Sequence, residues 1–494
     1  MAGAELPETG RTVRIALCLI SHTNAGKTTL ARTLLGRDVG EVRDEAHTTI
    51  ESESHLLLST PEGDELRLWD TPGFGDSVRL CTRVRLAGNP IGWFLTEVWD
   101  RWSDRAFYLA QKAVRTAARE SDVVLYLVNA SENPEDAGYV APEMEILALL
   151  GKPVIVLLNQ TGRAPDDMAE VAEVEKWRTH LRGFAKISDV LTLDAFASCW
   201  IHEGRLIEAV GRCLADEDRA GYARLARTWS RRNEERFDAS MRQIARELLN
   251  AASQVVEVQS GPLLAGGLPG LKRKPSAAEL RARERLLAVV AAAREETTRK
   301  LLVLHGLEGD AGRYPYLQWL DSTSFDSRAP NDSVKAGIVG GIVSGAAGGL
   351  ASDLMAGGLT LGAGTLVGAI AGALSAGGLA AGANRIRGVG RHLLRLDDEA
   401  MQILVEEEFV KYVAISHFAR GRGEFVDEEA PAFWKNVTRE VVRVRAGEMI
   451  ALWTSARTQG VDDGSIDRMS RLISEAMLDV LRRLHPDRSA ARPR

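Results

Sequence analysis

The sequence has few cysteines and no excess of positive charge. Four of its 494 residues are cysteine, and none of them forms a C-x-x-C pair, so neither a zinc site nor a disulfide framework is indicated. Acidic residues outnumber basic ones by 68 to 62, which argues against a generally basic nucleic-acid binder. The first residues lack the basic region, apolar run and cleavage site of a secretory signal peptide. These absences predict a cytoplasmic protein with reduced thiols. They indicate no nucleic-acid partner.

The composition is that of a folded protein, with 45% hydrophobic and 26% charged residues. From residue 13 to about residue 200, short apolar runs alternate with helical patterns, which is typical of an α/β sheet. Residues 123–128 are apolar on both faces, as central parallel strands must be. We therefore expect a mostly parallel sheet with helices on both faces over residues 1–202.

The expected strands are short apolar runs that are bounded by turn residues. The turn-rich tract 60–64 joins the second strand to the third and favours a hairpin between them. The strands are predicted over Val13–Ile20, Ser52–Ser59, Glu65–Asp70, Asp122–Asn129, Pro153–Asn159 and Val190–Asp194.

Helical patterns dominate the rest of the chain. Long helices are predicted over 203–258 and 277–304, with a Gly/Pro-rich linker at 260–275 between them. The predicted domains are the α/β domain at 1–202, a helical domain at 203–333, a glycine-rich apolar hairpin at 334–388 and a helical region with a basic tail at 389–494.

A phosphate-binding loop is predicted directly after the first strand. Residues 21–28, S-H-T-N-A-G-K-T, match the pattern G-x-x-x-x-G-K-[S/T] except that serine replaces the first glycine. Such a loop curls backbone N–H groups around a β-phosphate at the positive end of a helix. In this pattern Lys27 contacts the β- and γ-phosphate oxygens and Thr28 binds Mg²⁺. The predicted nucleotide-binding residues of the loop are Asn24, Ala25, Gly26, Lys27, Thr28 and Thr29.

A second motif, D-T-P-G, follows the predicted strand that ends at Asp70. An acid at this strand end would hold Mg²⁺, usually through water, and the N–H of Gly73 would meet the γ-phosphate. Thr48 and Thr49 lie in a polar segment between the two motifs. One of them would complete the Mg²⁺ shell, and we favour Thr49; the alternative for either is a simple turn residue. The predicted catalytic set is Lys27, Gly73 and Thr49, and the predicted Mg²⁺ ligands are Thr28, Thr49 and Asp70.

These motifs together resemble those of the Era-like branch of GTPases, within the TRAFAC class. The resemblance rests on Asn24, 26–28, 48–49 and 70–73, and it covers roughly the first two hundred residues. With the glycine-rich segment, the full layout resembles bacterial GTPases that carry domain of unknown function 3482. The resemblance implies an enzyme that binds GTP with Mg²⁺ and hydrolyses it as a switch, but it specifies no cellular role.

The base-recognition loop departs from the N-K-x-D pattern of GTPases. Asn159 matches the pattern, Gln160 replaces the lysine, and Gly162 replaces the aspartate that accepts hydrogen bonds from guanine. Ala195 occupies the place where a backbone N–H normally meets the base. The loss of a charged two-bond contact costs selectivity on the order of a few kcal/mol. GTP therefore follows from the resemblance, while ATP or relaxed specificity stays open.

Phe74 stands where Ras-like enzymes carry a glutamine that orients the attacking water. Because phenylalanine cannot form that hydrogen bond, another device must position the water, and we expect a slow intrinsic rate. Era-like relatives with an asparagine at the position of Asn24 include potassium-activated enzymes. The resemblance therefore implies a K⁺ site at Asn24 and a homodimer formed through the GTPase domain. The alternative is an asparagine that only caps the loop.

The glycine-rich segment carries no charge between Lys335 and Asp353, or between Asp353 and Arg385. With a tight turn at 352–358, spans of about 17 and 25 residues remain, which as helices would rise roughly 25 and 37 Å, enough to enter or cross a bilayer. Glycines recur every four residues within them and would form a groove for close helix packing. We predict membrane or membrane-protein contact through 336–383, at the inner face of the cytoplasmic membrane. The alternative is a soluble hairpin packed among the C-terminal helices, since glycine lowers both helix stability and membrane transfer.

Three functions are compatible with this sequence. The first is a GTP-driven switch that controls a membrane-associated helical domain. The second is a membrane-inserting or membrane-remodelling protein that nucleotide triggers. The third is a soluble regulator that binds another protein in one nucleotide state, with the hairpin as internal packing.

Overall fold

The computed structural model describes residues 11–23, 25–36, 52–86, 105–159, 167–184, 186–193, 200–258, 277–307, 392–418 and 432–485. Within these residues the chain forms two compact units. Of the described residues, the first unit contains those up to Glu235 together with 416–418 and His485, and the second contains those from Arg236 to Ile415 and from 432 to Leu484.

A six-stranded sheet forms the centre of the first unit. Its strands are β1 (Arg14–Ser21), β2 (Glu53–Ser59), β3 (Glu65–Asp70), β4 (Val123–Asn129), β5 (Val154–Asn159) and β6 (Ile187–Thr192). The strand order is β2-β3-β1-β4-β5-β6. The β2–β3 pair is the predicted antiparallel hairpin, and the other neighbouring strands pair in parallel. The helices are α1 (Lys27–Leu35), α2 (Ser77–Leu86), α3 (Arg105–Glu120), α4 (Val140–Leu149), α5 (Asp167–Leu181), α6 (Trp200–Cys213) and the first half of α7 (Asp216–Ser253).

Two apolar cores cover the two faces of this sheet. Along β4, Val124 and Tyr126 pack into one core, while Val123 and Leu125 pack into the other. Successive side chains of a strand point to opposite faces, so a strand covered on both sides must be apolar throughout. The predicted α/β fold with a mostly parallel sheet is confirmed.

The carboxyl ends of the parallel strands meet at one edge of the sheet. Leu19 near the end of β1 pairs with Asp70 at the end of β3, and Asn129 of β4 pairs with Asn159 of β5. Ligands of open α/β sheets bind outside the carboxyl ends of the strands. The pairing therefore brings the two predicted nucleotide motifs to the same edge.

A buried ion pair fixes the β2–β3 hairpin within the first unit. The carboxylate of Asp64 accepts from the Val13 N–H at 3.0 Å and from the Thr60 hydroxyl at 2.8 Å. Arg224 of α7 donates to both carboxylate oxygens at 2.7 Å each. The bond from Arg224 is the largest cause that lowers the pKa of Asp64 to about 2. The ionised carboxylate thus holds the hairpin against the first half of α7.

The prediction of one long helix over residues 203–258 is wrong. The chain breaks after Cys213, and a new helix begins at Asp216, where three acids favour a helix start. Its end continues into the short strand β7, whose antiparallel partner β8 lies far along the sequence, so local pattern does not reveal it. The elements after α7 are β7 (Val256–Val258), α8 (Ala277–Leu304), β8 (His392–Leu394), α9 (Asp398–Ser416), α10 (Ala432–Gln459) and α11 (Asp463–Leu484).

A cluster of buried charged side chains lies in the second unit. Arg294 of α8 donates to Glu408 at 2.8 Å and to Glu407 at 2.6 Å, and Lys411 also donates to Glu408. Glu247 of α7 is 3% exposed, and both of its carboxylate oxygens are buried. Burial, followed by the charge of Glu408, raises the pKa of Glu247 to about 7 against the opposing effects of Lys411 and Arg294.

Gly221 of α7 makes a close contact with Val13. A Cβ at residue 221 would lie 2.5 Å from both Val13 methyl carbons and 3.0 Å from its Cβ, so no valine rotamer relieves the overlap. We expect Gly221→Ala to lower the free energy of unfolding by about 1–3 kcal/mol, although alanine is the better helix former. The control is Gly447→Ala in α10, where nothing lies within 4 Å; it should stabilise by about 0.5–1 kcal/mol. Denaturant unfolding measures both, and equal effects of the same sign would contradict the contact.

None of the described helices combines the length and the apolarity that crossing a bilayer requires. The predicted membrane segment 336–383 lies outside the described residues, as does the linker at 260–275. Membrane contact through 336–383 therefore stays a prediction.

Candidate nucleotide site

The loop between β1 and α1 lies at the carboxyl edge of the sheet. Gly26 adopts a left-handed conformation directly before α1, with φ 87° and ψ 27°, which glycine reaches at no steric cost. Its neighbours Ala25 and Thr29 are buried. Because α1 begins at Lys27, the partial positive charge of its first turn lies at the loop. Asn24 lies outside the described residues, so its part in the loop stays a prediction.

Lys27 is buried, and its ammonium group contacts the first residue of the predicted loop. Its Nζ donates a hydrogen bond of 2.9 Å to Oγ of Ser21, the residue that replaces the first glycine of the pattern. Burial lowers the pKa of Lys27, while the charges of Asp70 and Glu143 partly oppose that effect. A desolvated ammonium group gains strongly from an anionic ligand. The serine therefore provides a hydrogen-bond acceptor for the lysine.

Thr28 and Asp70 come together at the same edge. The threonine hydroxyl donates to Oδ2 of Asp70 at 2.7 Å, and Oδ1 is buried with no partner among the described residues. Burial is the largest cause that raises the pKa of Asp70, against the hydrogen bond from Thr28 and the charge of Lys27. A hydroxyl and a carboxylate with an open buried oxygen fit a hard cation such as Mg²⁺.

Gly73 lies directly against the loop. A Cβ at this position would be 3.0 Å from Nζ of Lys27 and 3.0 Å from Cα of Thr23. The second of these neighbours is backbone, so it cannot move aside as a side-chain end can. Glycine is therefore required at this position, because a side chain would press against the backbone of Thr23 and the ammonium group of Lys27.

Phe74 joins the second motif to the loop through its backbone. Its carbonyl accepts from the Thr23 N–H at 3.1 Å and from the Thr23 hydroxyl at 2.7 Å, and its N–H donates to the Ser21 carbonyl at 2.9 Å. The phenyl ring is fully buried within the core that covers one face of the sheet. The ring thus anchors the segment and does not face a position where water could be oriented.

Asn159, at the end of β5, contacts the loop. Its side-chain amide donates to the Ala25 carbonyl at 2.8 Å, and the residue is fully buried. The conformation of the loop therefore depends on the last residue of a strand two positions away in the sheet. The other predicted residues of the site, Thr48, Thr49, Gln160 and Ala195, lie outside the described residues, and their roles stay predictions.

Two buried side chains near the site make contacts that the sequence analysis did not predict. The hydroxyl of Thr71 donates to the Leu19 carbonyl at 2.5 Å, which ties the start of the second motif to β1; its partner is too distant in sequence to leave a local signal. Glu143 on α4 shares the buried stripe with Val140 and Met144. Helical periodicity alone places that glutamate on the core face, so its pattern was available in the sequence.

The fold and the site together define a P-loop GTPase domain. Residues 16–160 match the family described as 50S ribosome-binding GTPase, and this agrees with the Era-like motifs. Residues 184–472 match the family described as domain of unknown function DUF3482. Because that match covers more than half of the chain, the chain belongs to the DUF3482 family, with a GTPase domain ahead of the family domain.

Solved structures of Era and of an elongation factor show limited likeness to this chain. Era in complex with MgGDPNP and a segment of 16S ribosomal RNA is 17% identical, with a TM-score of 0.30 over 42% of this chain and 58% of that chain. A single-residue variant of Aquifex aeolicus Era bound to GDP.AlF4⁻ is 14% identical, with a TM-score of 0.31 over 60% of this chain and 90% of that chain. A bacterial selenocysteine-specific elongation factor is 15% identical, with a TM-score of 0.27 over 41% of this chain and 29% of that chain. At these scores the likenesses support no conclusion about partners, and the comparison with curated proteins finds no match.

Proposed function

We propose that this chain binds GTP together with Mg²⁺ and hydrolyses it slowly, as a nucleotide-dependent switch. The observation that carries the proposal is the convergence of two motifs on one edge of the sheet. The Thr28 hydroxyl lies 2.7 Å from Asp70, 42 residues further along the chain, and Gly73 lies against Lys27. A lysine, a hydroxyl, a carboxylate and a close backbone amide are the groups that a triphosphate and its metal need.

Each of these residues has a defined task in the proposed reaction. The N–H groups at the start of α1 and the ammonium group of Lys27 would bind the β- and γ-phosphate oxygens and stabilise the charge that develops there. The N–H of Gly73 would donate to the γ-phosphate. Water attacks the γ-phosphorus in line with the bridging oxygen, that P–O bond breaks, and GDP and inorganic phosphate leave.

Thr28, Asp70 and one of Thr48 or Thr49 would hold the magnesium ion. The open buried Oδ1 of Asp70 supports this assignment, because Mg²⁺ takes oxygen ligands and usually keeps waters between itself and a carboxylate. When bound, Mg²⁺ would neutralise negative charge on the phosphate oxygens.

The slow rate that we propose follows from Phe74. Its ring is buried in the core, so this chain lacks the water-orienting side chain of Ras-like enzymes at that position.

We propose that Asn24 holds a K⁺ ion beside the phosphates and that two GTPase domains pair to complete the site. Equal rates of phosphate release in sodium and in potassium would remove the potassium site.

Phosphate release from GTP and from ATP by the purified full-length chain tests the proposed reaction. We expect Mg²⁺-dependent release from GTP on the order of 10⁻² s⁻¹ or slower, with weaker preference over ATP than an aspartate at Gly162 would give. Thr28→Ala should lower the rate by about 10-fold or more, since the loss of a residue that only supports a metal ligand already lowers activity by about 10-fold. Thr33→Ala, on the same helix with its hydroxyl bonded to the Thr29 carbonyl, is the matched control. Magnesium-independent release, or equal rates for both variants, would contradict the assigned site.

We further propose that the nucleotide state controls the helical part of the chain through residues 336–383. Support comes from the sequence, in which two long uncharged spans contain runs of glycines spaced four residues apart. Flotation with lipid vesicles, in the presence of GDP or of a non-hydrolysable GTP analogue, tests this control. Association in one state, and its loss in a Gly341→Leu, Gly368→Leu variant, is expected. Protein that stays off the vesicles in both states would favour a regulator of a soluble partner.

A further inference from the structure

A buried carboxylate lies beside the nucleotide site and has no task in the reaction proposed above. Glu143 of α4 is 0% exposed, among the apolar side chains that cover one face of the sheet. Burial is the largest cause that raises the pKa of Glu143, and hydrogen bonds from His22, Tyr126 and Ser77 act in the opposite direction. A buried carboxylate is costly unless donors replace its water, so the elements that supply those donors are constrained by it.

Three elements supply the donors. Nδ1 of His22, in the phosphate-binding loop, lies 2.8 Å from Oε1 of Glu143. The hydroxyl of Tyr126, on the central strand β4, donates to Oε2 at 2.6 Å. The third donor is the hydroxyl of Ser77, the first residue of α2. The carboxylate therefore joins the loop to the start of α2, with a central strand of the sheet as the fixed support.

Further contacts hold His22 in place. Its ring stacks on Tyr139, with the ring centroids 4.3 Å apart and the planes inclined by 20°. Its backbone forms a parallel bridge with Phe74, beside the hydrogen bonds that join Phe74 to the loop. Glu143 thus holds both ends of segment 73–77, one end through His22 and its bridge and the other through the serine hydroxyl.

Segment 73–77 is the part of the chain on which the proposed switch acts. Gly73 lies in a narrow gap beside Lys27, and its N–H would donate to the γ-phosphate. Hydrolysis removes that contact, and segments that a γ-phosphate holds commonly relax once it is lost. A fixed anchor at the far end of the segment decides how well Gly73 is placed when the triphosphate is bound.

We infer that Glu143 is a positioning residue, which acts through Ser77 and His22 to place Gly73 for the γ-phosphate. The inference rests on the proposed function and names the residue that couples its phosphate site to α2. A coupling residue changes the affinity for the triphosphate relative to the diphosphate. A residue that only completes a buried polar cluster lowers stability and leaves that ratio unchanged.

The test measures Kd for GDP and for a non-hydrolysable GTP analogue in variants of the full chain. Glu143→Gln and Ser77→Ala should each lower the triphosphate-to-diphosphate affinity ratio by about 10-fold, and kcat should fall with it. Tyr126→Phe removes the donor on the fixed strand, so it should lower stability but keep the ratio within about twofold of the wild type. Glu145→Gln is the matched control, because this exposed glutamate of the same helix bonds Arg85 of α2.

Ser77→Ala keeps the test decisive if Glu143→Gln does not fold, because it leaves two donors on the carboxylate. Amide exchange adds a readout that needs no nucleotide: the Phe74 N–H, 2.9 Å from the Ser21 carbonyl, should exchange faster in Ser77→Ala than in the wild type. An unchanged ratio in Ser77→Ala, or an equal loss in Tyr126→Phe, would overturn the inference and leave the proposed function standing. Wild-type protein that binds neither nucleotide would overturn both.

Discussion

Purified Lys27→Ala protein should bind GTP about 100-fold more weakly than the wild type, or not measurably. The ammonium group is buried and donates to Ser21 at 2.9 Å, so its charge is poorly solvated and is available to phosphate oxygens. Removal of one partner from a desolvated ion pair costs more than removal of a surface charge, because the other charge is left without compensation. Competition with a fluorescent GTP analogue measures the loss.

The control for this variant is Lys152→Ala. Lys152 lies just before β5, at the opposite end of the sheet from the site, and donates to the Ser121 carbonyl at 2.7 Å. It carries the same charge in the same unit, so its loss should leave the affinity for GTP within about twofold of the wild type. Equal affinities for Lys27→Ala and the wild type, with both proteins folded by circular dichroism, would contradict the assignment of the loop.

Glu247→Gln should stabilise the second unit by about 3 kcal/mol at about pH 8.5, and by little near pH 4.5. The pKa of Glu247 is raised from its ordinary value of 4.5 to about 7, so the folded state binds this proton more tightly than the unfolded state does. The stability that the proton contributes is present below about pH 4.5 and is lost as the pH rises through about 7. Glutamine keeps the shape of the side chain without a titrating proton, so it avoids that loss.

Denaturant unfolding at the two pH values measures this effect, and Glu296→Gln serves as the control. Glu296 lies on α8 with its side chain 49% exposed and pairs with Arg299 and Lys300 on the surface. Its substitution should change the free energy of unfolding by less than about 0.5 kcal/mol at either pH. Destabilisation of Glu247→Gln at the higher pH would show instead that the carboxylate is charged there and compensated by Arg294 and Lys411.

The nucleotide motifs could be predicted from the sequence because their signals are local. Lys27 and Thr28 follow an apolar strand at the spacing that a phosphate loop requires, and Asp70 ends a second strand. The topology of parallel strands then brings the two motifs together without any long-range information. The pairing of Thr28 with Asp70 is therefore a consequence that follows from two short patterns.

Other features depend on contacts between distant residues, which no local pattern encodes. His22 and Glu143 are 121 residues apart, and Arg224 and Asp64 are 160 residues apart. The role of Ser21 as an acceptor for the loop lysine is similar, because a serine in place of glycine indicates only a departure from the pattern. The division of α7 between two units after Glu235 depends likewise on contacts along the whole chain.

The central claim is that the backbone between β1 and α1 wraps a magnesium-bound triphosphate. Titration calorimetry of the nucleotide-free wild-type chain with GTP, in Mg²⁺ and then in excess EDTA, tests that claim most directly. One saturable site per chain, with affinity that falls when the metal is chelated, is the predicted result. A titration without binding heat, repeated at a second temperature and accompanied by no retention of labelled GTP on a filter, would contradict it.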